Sequence, residues 1–517
     1  MNRAAIHTWS AMILIAVSGL LRLLWSGAVE LAPDEAYYWT WSQIPDWGYF
    51  DHPPLLAWLI RGSTALLGDH EVAVRLPTVI LGSLTQGLLF IAARDLWAGP
   101  RWGLVAVIMA NATVLFSAGS SLATPDAPLI FFWLLALYVG ARALDSGRLL
   151  HWLAAGAAVG LALQAKYSAA LLPLCALLYL ISSGQRLRQL KRPGPYLAAG
   201  LALLIFLPNL LWNWSFGFVS IGFQLEHAVR GPGHGVLANL GEFLGGQAML
   251  VNPVFFIGCL LTLRGSRGAE GREQESRVLL RYFFLVPLLV FIAAGLARKL
   301  EANWPAVIWP AGFLALVGLY RERVIDTESG RGRRWRGFAW LGVAMGATMA
   351  ITAHLHSAWP FLPTPTRQDP TARLRGWQGL AAAVAVERRR LGAQLPLYTR
   401  RYQEAAELGF YDHRHPPARA FGPGWRRSQY NLWPDRSAHT DAALILWESD
   451  LEVPADLAPA DRLQPVTTVR RLDQGTMLGL YVIYLRRAAG TGPSPSPGAP
   501  PEAPPAPAAD PPAAGSG

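Results

Sequence analysis

The side chains able to do chemistry are densest between Leu31 and Leu56, in LAPDEAYYWTWSQIPDWGYFDHPPLL. Here Asp34, Glu35, Asp51 and His52 stand among Tyr37, Tyr38, Trp39, Trp41, Trp47, Tyr49 and Phe50. Carboxylates so placed serve as general bases or hold a divalent metal. The stretch also reads as an interfacial loop, with aromatics at headgroup depth and Asp34 capping a helix after Pro33. More polar sites follow: Asp126 in ATPDAPL, Lys166-Tyr167 in AKYSA, Glu226-His227 with Arg230 in FQLEHAVR, and Arg298-Lys299 with Glu301 in RKLEANWP. Lys166, Arg230, Arg298 and Lys299 suit an anionic phosphate. Plainer readings stand beside these. Asp126 after Pro125 is a natural helix-start acid, Lys166 can snorkel, His227 can be structural, and Arg298 and Lys299 can flank a membrane segment. Gathered at one membrane surface, the set describes a charged reaction centre, because ionisable groups at membrane depth are costly and usually functional. A base beside a phosphate leaving group then points to group transfer from a lipid phosphate.

The elements that must position these residues are membrane helices. With 517 residues, 52% hydrophobic and only 15% charged, the chain reads as a polytopic α-helical membrane protein. Apolar runs long enough to cross the hydrocarbon core lie near 8–27, 74–93, 103–120, 127–141, 195–212, 247–263, 282–297, 304–320 and 337–355, and 150–183 reads as two short helices broken at Lys166-Tyr167. That makes about eleven spans. With a cytoplasmic N-terminus, the inner connections hold nineteen Lys and Arg residues, from Arg94 to Arg336, and the outer ones six. Basic residues are retained on the cytoplasmic side, so the bias supports this orientation and puts every polar site named above outside the cytoplasm. It also explains the net charge of +11 without nucleic acid. Cys175 and Cys259 each lie in an apolar run, which fits inert core residues and neither a disulfide framework nor a CxxC site. The N-terminal run lacks a small-residue cleavage site and reads as an uncleaved first span.

Three regions follow: a transmembrane catalytic domain over 1–355, a small extracytoplasmic α/β domain over 356–487, and a Pro/Ala-rich tail over 488–517 whose composition cannot bury a core. In the α/β domain, 371–390 and 401–411 read as helices and 395–399, 442–447, 464–471 and 477–485 as strands.

The ordered set DE, FDHPPL, TPDAPL, AKYSA, EHAVR and KLEANWP resembles the GT-C glycosyltransferases of the protein-O-mannosyltransferase-like superfamily, in particular family 39 members and the lipid A aminoarabinose transferases, over residues 1–320. The resemblance implies a catalytic acid in the first outer loop, here Asp34 with Glu35 beside it, and a second at Asp126. It implies a divalent metal held by the loop acid and a later histidine, here Asp51 and His227. Family members have lysine where this chain has His52, which puts that residue's phosphate role in doubt; Lys166 matches the family's lysine in the fifth-helix turn. The segments RRYQEAAELGFY and RRSQYNLW resemble an appended outer domain of a bacterial subset, suited to acceptor binding.

The expected activity is transfer of a sugar from a polyprenyl-phosphate donor to an acceptor hydroxyl on an envelope lipid, glycan or protein. Asp34 would be the general base, with Asp126 positioning the acceptor or sharing this duty. Lys166, Lys299, Arg230, Arg298 and His52 would face the donor phosphate, and the anomeric carbon would invert. No Gly-rich phosphate loop is present, so no nucleotide is expected. The rival reading is a lipid transporter or flippase, against which stand the concentration of charge on one face and the lack of an inverted repeat.

Overall fold

The computed structural model describes residues 2–229, 235–264, 270–325, 331–366, 368–412, 417–420, 426–434, 442–453 and 462–488. In chain order the helices are α1 Arg3–Ser26, α2 Pro33–Gln43, α3 Leu55–Leu67, α4 Glu71–Leu96, α5 Pro100–Asn111, α6 Val114–Ala118, α7 Asp126–Ser146, α8 Leu149–Ala165, α9 Leu171–Ile181, α10 Gly184–Leu187, α11 Gly194–Ser215, α12 Val219–Val229, α13 Val236–Val251, α14 Pro253–Leu261, α15 Gly271–Ala297, α16 Trp309–Ile325, α17 Arg331–Ala358, α18 Trp377–Leu391 and α19 Tyr402–Tyr411. The strands are β1 Leu397–Thr399, β2 Arg419–Ala420, β3 Ala443–Glu448, β4 Leu463–Asp473 and β5 Thr476–Arg486.

Among the described residues six helices are long and apolar enough to cross a membrane: α1, α4, α7, α11, α15 and α17. The number rises to eight if each of two bent pairs is one span, short of the expected eleven. The shortfall has local causes. The run near 103–120 is not one helix: α5 ends at Asn111 and Thr113 caps the short α6 by accepting from Phe116 N at 3.2 Å. The run 247–263 is cut at Asn252, whose backbone takes φ +62°. Its side chain caps α14 through Phe255 N at 2.9 Å and donates to Ala112 O and Gly342 O at 3.1 Å each, which fixes the bend between α13 and α14. α17 passes so close to this point that a Cβ on Gly346 would fall 1.8 Å from Ala112 O. Small residues likewise let α8 and α11 touch, since a Cβ on Gly156 would meet Ala198 O at 2.3 Å. The expected break at Lys166 is present: its extended backbone ends α8, and a 3₁₀ turn over Tyr167–Ala170 leads into α9.

The connection after α1, read from sequence as an outer loop, contains α2 and is followed by α3. Pro33 at the first helical position of α2 has no N–H to leave unpaired, and Asp34 and Glu35 lie in its first turn, where negative charge meets the helix dipole. Both cysteines are free and buried in the main helical core.

After α17 the chain forms a five-stranded sheet of order β2-β1-β3-β5-β4, with β1 parallel to β2 and β3 and the β3–β5 and β5–β4 pairs antiparallel. Strand alternation splits β3 between two cores: Leu444 and Leu446 face α18 and α19 with Trp377, Leu380 and Leu408, while Ala443, Ile445 and Trp447 pack with Tyr398 on the other side. The opposite face of α19 carries Tyr402, Ala406 and Phe410 into one cluster with Tyr37, Tyr38, Trp39 and Trp41 of α2. The tail expected over 488–517 lies outside the described residues apart from Ala488.

Candidate active site

α4, α7 and α15 run between two ends of the bundle. At one end are Arg75, Asp126 and the Ala297–Asn303 turn. At the other, ion pairs join Arg94 to Asp95, Arg272 to Asp145, and Arg321 to Glu273. The chemistry gathers at the first end.

Glu35 is 1% exposed and fully engaged. Its Oε1 accepts from Arg75 Nε at 2.9 Å and from Ala123 N at 2.7 Å; its Oε2 accepts from Arg75 Nη2 at 2.7 Å and from Ala32 N at 2.8 Å. Arg75 also donates to the carbonyls of Ser26, Val29 and Glu30. With every acceptor direction filled by a permanent donor, Glu35 takes no substrate proton. Glu35, expected beside the catalytic acid, anchors α2 to α4 and to the Ala123 turn.

Lys166 and Asp126, assigned to different roles from sequence, form an ion pair, Nζ to Oδ1 at 2.7 Å, with side chains 11% and 7% exposed respectively. Asn303 Nδ2 donates to Asp126 Oδ2 at 2.7 Å, so the ATPDAPL, AKYSA and EANWP segments meet at one carboxylate. Lys166 spends one of its three N–H donors there.

Asp51 is buried and likewise held on both oxygens, by Tyr37 Oη at 2.9 Å and by Arg426 Nη2 at 2.5 Å. Burial raises its carboxyl above the ordinary range, opposed by the Arg426 guanidinium and the Tyr37 hydroxyl. This bears on the metal expected at Asp51 and His227. Each Asp51 oxygen already accepts one hydrogen bond, one of them from a guanidinium that supplies positive charge. His227's side chain lies outside the described residues, and no group of three or more His, Cys, Asp or Glu side chains poised for a metal occurs among those described.

Asp34 is half-buried. Its Oδ1 accepts from Tyr402 Oη at 3.0 Å, and its Oδ2 has no hydrogen-bond partner among the described residues. Among the described residues it alone of the four carboxylates has an oxygen that accepts no hydrogen bond. Tyr38, buried on α2, lies near the acids: burial and then the nearby charges, Asp34 first among them, push its hydroxyl well above the ordinary value.

The remaining expected cations are less central. His52 lies beside Tyr38, ring centroids 6.3 Å apart. Lys299 pairs with Glu242 at 3.2 Å in a half-exposed position, and Arg298 turns back to the Lys299 carbonyl and over Trp304. Arg230 lies outside the described residues.

Sequence reasoning missed Tyr402 and Arg426. Both come from beyond residue 400, and nothing local separates Arg426 from Arg400, Arg401 or Arg427. The contacts do: Arg400 and Arg401 reach Glu448, while Arg426 reaches Asp51 and Tyr402.

The family model described as dolichyl-phosphate-mannose-protein mannosyltransferase matches residues 51–212. The lipid A galacturonosyltransferase RgtD of Rhizobium johnstonii is 28% identical over 300 residues, 56% of this chain and 61% of that protein, so the chain spans about three fifths of that relative. The undecaprenyl phosphate-alpha-4-amino-4-deoxy-L-arabinose arabinosyl transferase of Pseudomonas paraeruginosa is 32% identical over 401 residues, 70% of this chain and 68% of that enzyme. Among solved structures, ArnT from Cupriavidus metallidurans bound to undecaprenyl phosphate superposes with a TM-score of 0.63 at 17% identity, covering 93% of this chain and 99% of that one, a likeness of fold.

Proposed function

The chain belongs to the GT-C family 39 glycosyltransferases typified by the undecaprenyl-phosphate aminoarabinose transferases, and from that premise we propose that it moves a sugar from a polyprenyl-phosphate donor to a hydroxyl of a lipid A-class acceptor. One observation carries the residue assignment: the open Oδ2 of Asp34 in a site where both oxygens of Glu35, Asp51 and Asp126 are taken.

Asp34 removes the acceptor hydroxyl proton as that oxygen attacks the anomeric carbon. The bond from that carbon to the phosphate oxygen breaks, its electron pair leaves on the polyprenyl phosphate, and the proton stays on Asp34 until product departs. Displacement from the opposite face inverts the anomeric centre. Lys166, with two N–H donors not spent on Asp126, faces the charge that develops on the phosphate, the preorganised electrostatic help that enzymes use most heavily. Asp126 fixes Lys166 and orients the acceptor side of the cleft. The donor's apolar tail needs lipid access while its phosphate needs this polar end, which explains a catalyst made mostly of membrane helices.

The clustering of arginines at the end of the bundle away from the acids supports an orientation with the N-terminus cytoplasmic and the acids outside. The test is transfer from radiolabelled undecaprenyl-phosphate-linked sugars, 4-amino-4-deoxy-L-arabinose and galacturonic acid among them, to lipid A by membranes carrying wild type or Asp34→Asn. Transfer by the wild type, lost in the folded variant, is expected. A product with retained anomeric configuration refutes single displacement.

A further inference from the structure

Two tyrosine hydroxyls touch the acids of the first outer connection, and each is loaded from the C-terminal part of the chain. Tyr402 Oη donates to Asp34 Oδ1 at 3.0 Å and accepts from Arg426 Nη1 at 2.8 Å. Tyr37 Oη donates to Asp51 Oδ2 at 2.9 Å and accepts from Gln429 N at 2.5 Å. A phenol has one proton to give. Once an N–H occupies its oxygen, that proton is directed at the carboxylate, and a chain of such bonds polarises along its length. Arg426 joins the two chains by donating its other arm to Asp51, and its guanidinium lies over the Tyr402 and Phe223 rings at 5.1 and 5.2 Å, which fixes its plane. Gln429 closes the seam, its side-chain oxygen accepting from Phe50 N at 2.7 Å.

We propose that the C-terminal domain completes the catalytic centre: Tyr402, loaded by Arg426, is a positioning residue that holds Asp34 Oδ1 so that its open Oδ2 faces the acceptor hydroxyl. The domain acts on the reacting acid itself, in addition to any acceptor it binds. The inference rests on the glycosyltransfer reading above. It differs from simple domain docking, which α18 and α19 also perform elsewhere: Tyr411 receives Leu31 N at 2.9 Å and donates to Glu71 at 3.0 Å, and Glu30 accepts from Trp377 N at 2.6 Å. Those bonds hold the same two parts together without touching Asp34.

The experiment uses the full chain in nanodiscs, with undecaprenyl-phosphate-linked 4-amino-4-deoxy-L-arabinose and galacturonic acid as donors, lipid A as acceptor, and undecaprenyl phosphate binding as the measure of an intact site. Tyr402→Phe keeps the ring and loses only the hydroxyl. It is expected to lower kcat about 10- to 100-fold, the loss that accompanies removal of one hydrogen bond to a charged group, with KM and undecaprenyl phosphate binding changed less than twofold. Arg426→Gln gives a similar loss that Arg426→Lys partly restores, and Tyr402→Phe with Arg426→Gln costs less than the product of the singles, because one acts through the other. Tyr411→Phe, which loosens docking alone, leaves kcat unchanged.

Wild-type kcat in Tyr402→Phe, or equal losses in Tyr411→Phe and Tyr402→Phe, overturns the proposal in favour of docking. Weakened undecaprenyl phosphate binding with normal kcat also overturns it. If the wild type transfers no sugar from any donor, the glycosyltransfer reading fails first and takes this with it, an outcome distinct from an active wild type indifferent to Tyr402.

Discussion

Asp34 and Glu35 are adjacent in sequence and are expected to give opposite phenotypes. Glu35→Ala leaves Arg75, 0% exposed, without its carboxylate, and leaves the amides of Ala32 and Ala123 without acceptors. Removing one partner of a buried, hydrogen-bonded ion pair costs about 3–5 kcal/mol. The three carbonyls that Arg75 also meets do not neutralise it, so the lower end, about 3 kcal/mol, is the minimum expected, more than a hundredfold in the folded-to-unfolded ratio. Asp34→Asn keeps an acceptor for Tyr402 on a half-buried side chain and removes only the basic oxygen. Stability should stay within about 0.5 kcal/mol while turnover falls about 10²- to 10⁴-fold, the usual share of a general base. Equilibrium unfolding of the protein in mixed micelles and sugar transfer on the same samples separate the two. The variant Glu35→Ala with Arg75→Met should cost less than the summed singles by about 1 kcal/mol or more, since it leaves no unpaired charge. If Glu35→Ala is as stable as wild type but inactive, and Asp34→Asn is active, the assignment of base and anchor is reversed and the reasoning fails.

Two further outcomes follow from groups outside the reaction. Glu407 on α19 is fully buried, neither carboxyl oxygen has a hydrogen-bond partner, and burial pushes its pKa well above the ordinary value, against a smaller pull from Arg471. The folded chain thus binds a proton that the unfolded chain releases near the usual carboxylate pKa, so this group's contribution is fully favourable below that pKa and declines as pH rises towards its folded pKa. Glu407→Gln should therefore be more stable than wild type at pH 7, with the difference vanishing towards pH 4, as read by unfolding across that range; a constant difference refutes the protonated state. Gly346→Ala must push a methyl against the Ala112 carbonyl that Asn252 also binds. Overpacking of this kind costs about 1–3 kcal/mol, and unchanged thermal unfolding would contradict the close passage of α17.

Much of the fold was legible because the bilayer imposes a period and a length on any sequence that crosses it. The runs that became α1, α4, α7, α11, α15 and α17 announce themselves by continuous apolarity, and the break at Lys166 by a charge inside such a run. The strands β1, β3, β4 and β5 and the helix α19 were legible for a similar reason, a short-range alternation or stripe. The kink at Asn252 was not, because asparagine in an apolar run does not say whether its amide will find two carbonyls 140 and 90 residues away. The site divides along the same line. Residue type and order put Asp34, Asp51, Asp126 and Lys166 among a wider set of candidates that also held Glu35, His52, His227, Arg230, Arg298 and Lys299. Only the tertiary structure decided which acid stays open, because that depends on which donors arrive: Arg75 fills Glu35, Lys166 and Asn303 fill Asp126, and Arg426 fills Asp51, each from a different segment. A carboxylate's role is set by the occupancy of its lone pairs, a property of three-dimensional neighbours that no local pattern encodes.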